Sequence, residues 1–143
     1  MVPSANVAVT DDAGRILMIH RSDNDNWAVP GGAMDLGESL VDCAVRETKE
    51  ETGIDCEVTG LVGIYRWHYA PEDVTFLRFC FRGNLGKEGK GPRDKLIQAL
   101  HWLTPAALTE RRAEHRSPLV QKCVEDFLAG RFFPLEAISR DFA

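Results

Sequence analysis

The stretch from Glu38 to Thr52 carries the clearest helical pattern in the chain, and what flanks it restricts what that helix can pack against. Leu40, Val41, Ala44, Val45 and Thr48 fall at spacings that form one stripe, and Gly53 sits where a helix C-cap is expected. Upstream, "WAVPGGAMDLGE" holds three glycines and a proline, which excludes a helix or a central strand there. Around these segments lie strand-like runs. "NVAVT" and "RILMIHR" read as two strands joined by a tight turn around Asp11 to Gly14. "DCEVTGLVGIYRW" and "VTFLRFCFRGNL" are rich in β-branched and aromatic residues, and "QALHWLT" reads as a further short strand. "GKEGKGPRDK" reads as a turn, and "PAALTERRA" as a short helix with Pro105 at its start. A last helix is capped by Ser117, carries Pro118 in its first turn and apolar positions from Leu119 to Leu128, and ends at Gly130. Strands and helices mix without regular alternation, so the expected fold is α/β, with one mixed β-sheet sandwiched between helices. A length of 143 residues predicts one domain over 1–143.

Composition removes several classes of function. Hydrophobic residues make up 44% and charged residues 27%, near the values of an ordinary globular protein. No apolar run approaches the roughly 18 to 20 residues needed to span a membrane, and "MVPSANVAVT" lacks the order of a secretory signal. A cytoplasmic location is expected. A formal charge of −5 with no long block of like charge argues against a binder of nucleic-acid polymers. Cys43, Cys56, Cys80 and Cys123 are scattered without a C-x-x-C pair, and are expected as reduced, partly buried small residues.

Within the helix, "RETKEETG" places Glu47, Glu50 and Glu51 at i, i+3 and i+4, on one arc beside the apolar stripe. That position is half-buried at best, where neighbouring carboxylates repel more strongly than in open water. Arg46 and Lys49 offset part of the repulsion. Such an arc is either a solvated acidic face or a site for a hard cation such as Mg²⁺, which prefers oxygen ligands.

The residues upstream decide between these. Gly32, five residues, Glu38, seven residues, Arg46-Glu47, two residues, Glu50-Glu51, one residue, Gly53-Ile54: this order, over residues 32–54, resembles the Nudix box of hydrolases that act on a nucleoside diphosphate linked to another group. Thr48 departs from the pattern, standing where an aliphatic residue is usual. Slightly poorer packing behind the helix is expected from its hydroxyl, without loss of chemistry. The resemblance implies that Glu47, Glu50 and Glu51 bind divalent metal, with Gly31 adding its carbonyl, and that Glu38 and Arg46 orient the ligands. It implies two or more Mg²⁺ ions, with Mn²⁺ as a substitute, stabilising the attacking water and the leaving oxygen of a small-molecule phosphoanhydride.

"APEDVTFLRFCF", "HWLTPAAL", "RSPLV" and "FPLEAI" resemble the NudJ-type phosphatase branch, which implies nucleoside di- and triphosphates and the pyrophosphorylated thiamin pyrimidine precursor as substrates. "HRSDNDNWAVPGG" is similar to more general members, including ADP-ribose pyrophosphatases. Many members carry an acidic residue just before the strand that ends in Trp. Here "DKLIQALHW" has Leu96 and Gln98 in those places and Asp94 nearby, so the general base is assigned to Glu47. Arg78, alternating with Leu77 and Phe79, and Arg21, at the end of the second strand, are candidate substrate contacts. Trp67, with His68 and Tyr69, offers a stacking surface for a base, and Trp27 supports the "PGG" loop. Two other readings differ in what they predict. A Nudix-fold module that binds nucleotide without turnover is favoured by loss of box glutamates, and none is lost. A Ca²⁺ site on a structural helix predicts no hydrolysis with Mg²⁺. The chain is expected as a monomer or homodimer.

Overall fold

A strand buried on both faces needs a hydrogen-bonding neighbour on each edge for its backbone groups, and the N-terminal strand finds two. The computed structural model describes residues 1–86 and 97–138. Its strands are β1 (Val2–Ala8), β2 (Ile16–Arg21), β3 (Trp27–Ala28), β4 (Gly31–Ala33), β5 (Cys56–Tyr69), β6 (Val74–Leu85) and β7 (Ile97–Leu103). Its helices are α1 (Leu40–Thr52), α2 (Pro105–Glu110) and α3 (Pro118–Leu128). β1 pairs antiparallel with β4 and parallel with β6, and β6 pairs antiparallel with β5, giving a mixed sheet ordered β4-β1-β6-β5. β2 lies between β3 and β7 in a second, antiparallel sheet.

The turn expected at Asp11 to Gly14 is present, with the Gly14 N–H donating to the Asp11 carbonyl at 3.0 Å. The strands it joins nevertheless part. A bridge between Thr10 and Ile16 and a 3.2 Å bond from the Leu17 N–H to the Val9 carbonyl link them, and β1 and β2 then enter different sheets. Both edges of β1 are already taken by β4 and β6, which leaves no place for β2. The glycine- and proline-rich stretch holds neither a helix nor a central strand, as expected, and contributes the edge strands β3 and β4. Both are short and lie at sheet edges, on either side of Pro30, which has no N–H to give to a ladder.

α1 begins at Leu40 rather than Glu38, because Ser39 caps it, accepting from the Asp42 N–H at 3.0 Å. It ends at Gly53, whose φ of 75° is the left-handed conformation glycine adopts without steric cost. Cys43 and Ala44 of α1 pack on Ala5, Val7 and Phe81 of the mixed sheet. Leu119 and Cys123 of α3 cover Ala8, Val62 and Cys80 on its opposite face. The sheet is thus sandwiched between helices, as expected. A third cluster, including Ile16, Met18, Leu108 and Val124, ties the second sheet to α2 and α3.

The Thr48 hydroxyl is accommodated: it is buried and donates to the Ala44 carbonyl at 2.7 Å. The four cysteines are free, with Cys56 half-buried and the others buried. Among the described residues, no helix is long and apolar enough to cross a membrane. Asp94 and Leu96, and the side chain of Gln98, lie outside what is described.

Candidate active site

The 100° step of α1 turns its glutamates from solvent into the protein. The Glu50 side chain is 46% exposed and that of Glu47 18%, while Glu51 is only 2% exposed. The expectation of half-burial therefore fails for Glu51. It lies on the buried face, between Thr48 and Thr52, where β4 closes over it. Its carboxylate accepts the Gly31 N–H at 2.7 Å. Burial pushes its pKa up to about 8, the Glu47 charge adds to the rise, and the Gly31 N–H and the charges of Arg21 and Arg116 oppose it.

Glu47 is also raised, again chiefly by burial, against the pull of Arg46. Its carboxyl lies where Gly32 leaves space, since a Cβ at Gly32 would come within 2.6–2.8 Å of the carboxyl atoms. Gly31 and Gly32 thus face opposite ways along β4, one towards Asn6 of β1 and the other towards Glu47.

Arg46 organises the surrounding charge. Its guanidinium grips Glu38 with two bonds, Nε to Oε2 at 2.6 Å and Nη2 to Oε1 at 2.9 Å. This fork holds the Glu38 carboxyl below its usual range. Nη2 also donates to the Ala33 carbonyl, and Nη1 donates to Glu47 at 3.0 Å and to Glu50 at 3.3 Å. Glu38 in turn accepts the Asp35 N–H, so the pair fixes both the loop and the carboxylate arc. Arg46→Lys keeps a charge and removes the fork. A loss of about 10- to 100-fold in activity with an unchanged far-UV spectrum is expected, read by steady-state kinetics beside circular dichroism.

The donor set fits a hard divalent ion: carboxylate oxygens, one of them buried, at a backbone with no room for a Cβ. Among the described residues no three His, Cys, Asp or Glu side chains already converge as ligands. Arg46 Nη1 stands between Glu47 and Glu50 and engages both.

Arg78 sits on β6 opposite Ser4 and Tyr65, facing away from Leu77 and Phe79 as expected, with its Nε 3.4 Å from the Ser4 hydroxyl. It lines a cleft of about 290 Å³ with Trp67, Tyr69, Phe76 and Arg116. Trp67 stacks on Phe76 with ring centres 5.7 Å apart. Trp67 and Tyr69 therefore supply the aromatic surface, but His68 does not. It points to the other face of β5, towards Thr75 and Asp73, as strand alternation requires. The Arg21 fork is engaged by Asp23 at 3.1 and 3.0 Å, and Arg21 reaches the site through its charge on Glu51.

Trp27 is 5% exposed, stacks on His20, and its carbonyl accepts the Arg116 N–H at 2.9 Å. It ties the glycine loop to the start of α3, which exceeds the loop support expected of it. Arg116 was not singled out by the sequence. Its signals are its place at the head of "RSPLV" and just before the Ser117 cap, where the chain turns into α3.

The NUDIX domain family matches residues 1–123 of the chain. A MutT-like protein of Streptomyces ambofaciens is 38% identical over 113 residues, covering 79% of this chain and 70% of that protein. Phosphatase NudJ of Escherichia coli K12 is 31% identical over 140 residues, covering 95% of this chain and 90% of the phosphatase. The structure of a NUDIX hydrolase from Nitrosomonas europaea superimposes with a TM-score of 0.92 at 28% identity, over 98% of this chain and 97% of that one.

Proposed function

Since the chain belongs to the Nudix family and is a Nudix pyrophosphohydrolase, we propose that it hydrolyses nucleoside di- and triphosphates and related pyrophosphorylated small molecules, the thiamin pyrimidine pyrophosphate among them, with Mg²⁺ or Mn²⁺. The observation that carries the reading is Glu51, a carboxylate 2% exposed beside the half-buried Glu47. Without a cation at this place burial drives it to hold a proton at neutral pH. Glu47, Glu50, Glu51 and the Gly31 carbonyl would hold the ion. When bound, it would supply Lewis-acid stabilisation of the charge that develops on the phosphoanhydride oxygens.

The chain's own groups do the rest. Glu47, whose carboxyl is already raised by burial, takes the proton of the attacking water, a task for which a pKa nearer the working pH is better suited. Glu38 and Arg46 hold the Glu47 and Glu50 carboxylates in place. Arg78 contacts the phosphates, Trp67 stacks against the planar group beyond them, and Arg21 contributes positive potential from behind its pair with Asp23. The substrate range is supported by likeness to phosphatase NudJ along 95% of the chain and by a cleft lined by three aromatic side chains, Arg78 and Arg116, with Glu72 as its one carboxylate among the described residues. One catalytic domain over 1–143 and a cytoplasmic location, in keeping with four free thiols, complete the proposal.

Phosphate and pyrophosphate release with Mg²⁺ across ADP, ATP, ADP-ribose, dinucleoside polyphosphates and pyrophosphorylated thiamin precursors tests it. Release from several of the nucleotides is expected. A single strong response to ADP-ribose would replace the substrate range with a nucleotide-sugar one.

A further inference from the structure

Two arginines line the 290 Å³ cleft, and among the described residues neither forms an ion pair with a carboxylate. Arg78 is half-buried at the cleft wall, with the Ser4 hydroxyl as its side-chain partner. Arg116 is exposed, and its main chain is fixed rather than loose. The Arg116 N–H donates to Trp27, His115 before it forms a parallel bridge with Trp27, and Ser117 after it caps α3 by accepting the Leu119 N–H at 3.2 Å. The two positive charges oppose each other: after burial, Arg116 is a cause of the lowered pKa of Arg78. Both also lie within electrostatic range of Glu51.

Two guanidiniums against the single carboxylate of the exposed Glu72 leave this cleft with an excess of positive charge beside its aromatic residues, and an anion relieves the repulsion between the arginines. Arg116 also stands at a junction, because an adjoining cleft of about 360 Å³ shares Trp67, Tyr69, Arg116 and Ser117 with the first. An anion held at Arg116 is therefore beside the aromatic residues of both clefts and within electrostatic range of Glu51.

We propose that Arg116 is a substrate-binding residue that, with Arg78, clamps the phosphoryl group lying between the aromatic wall and the Glu47–Glu51 helix. The inference rests on the phosphoanhydride reading above and adds to it the group that fixes the substrate from the α3 side. Arg116 acts on binding more than on turnover, because it meets a phosphate that is charged before and after the reaction.

The test is steady-state kinetics on ADP and ATP with Mg²⁺ for Arg116→Ala, Arg116→Lys and Arg15→Ala, with thermal melting of each. Arg15 pairs with Asp11 at the remote turn, so Arg15→Ala controls for loss of one positive charge. Arg116→Ala is expected to raise KM by about tenfold or more while kcat stays within about threefold, the signature of a lost charge-assisted contact. Arg116→Lys, which keeps the charge without the fork, is expected to recover part of the loss. Arg15→Ala and the melting temperatures are expected to stay near wild type. A KM for Arg116→Ala within twofold of wild type would overturn the proposal, and so would a loss shared equally by kcat and thermal stability. If alanine does not fold, Arg116→Gln is read in the same way. A wild type that hydrolyses neither nucleotide would instead overturn the substrate reading, and this inference with it.

Discussion

Glu51→Gln is expected to lower kcat on the order of 10³-fold, about 4 kcal/mol of transition-state stabilisation, and yet to raise the melting temperature of the metal-free protein. The two effects have one cause. In the folded chain burial moves the Glu51 pKa from 4.5 to about 8. The folded state therefore holds the proton more tightly than the unfolded state. Stability is full below about pH 4.5 and falls as pH rises towards 8, because ionising this carboxylate without a cation is costly in the fold. The difference reaches about 5 kcal/mol above pH 8, taking roughly 1.36 kcal/mol for each unit. Glutamine has no proton to lose, keeps the shape, and still offers an oxygen to the Gly31 N–H. The variant and wild type are thus expected to melt together near pH 5, and the variant to melt higher by at least about 5 °C near pH 9. Scanning calorimetry in EDTA at the two pH values checks the sign, and a wild type that is the more stable at pH 9 would show that Glu51 is not ionised against its surroundings.

Gly31→Ala and Gly32→Ala are adjacent changes with opposite expected outcomes. A Cβ at Gly31 would meet Asn6 Cβ, the Ala5 carbonyl oxygen and Asn6 Cα at 2.4, 2.5 and 2.6 Å. Two of these are backbone atoms of β1, which is held by β6 on its other edge, so β4 must leave the sheet. A cost of roughly 3 kcal/mol or more is expected, and with it loss of the N–H that orders Glu51. The three atoms nearest a Cβ at Gly32 would all belong to the Glu47 carboxyl, at 2.6–2.8 Å, the free end of a flexible side chain. The fold survives and Glu47 moves aside. Activity is expected to fall about 100-fold with a melting temperature close to wild type, because a displacement near 1 Å suffices for that loss. Thermal melts and kinetics on the two variants separate the effects. Equal destabilisation by both would mean that Gly32 is structural and that Glu47 is not positioned by it.

How much of this was legible in the sequence depends on the range of the interactions concerned. α1 with its caps, and the long strands β5 and β6, follow from neighbouring residues, and the pattern over residues 32–54 is itself local. The parting of β1 and β2 is not local. Their turn is as expected, yet which strand lies beside β1 is set by Phe76 to Arg82, about seventy residues away. Alternation shows that β1 has two faces to bury, not which strands take its edges. Glu51 was read with Glu47 and Glu50 as one arc, and its burial arises because β4 folds over that side of the helix. Trp67 and His68 are adjacent in sequence and separate in space, as a strand demands, once it is known which face of β5 the cleft uses. Arg116 opens the "RSPLV" stretch, but nothing local shows that its main chain is fixed by the Trp27 carbonyl, a contact that joins two segments distant in sequence.

Phosphate release from ADP and ATP, followed against free Mg²⁺ after stripping with EDTA, bears most directly on the role given to the carboxylate helix. No release in EDTA is expected, with a saturable return on adding Mg²⁺ or Mn²⁺ that Glu51→Gln does not share. Release that persists undiminished in EDTA, or nucleotide that binds with Mg²⁺ present and is never hydrolysed, would contradict it.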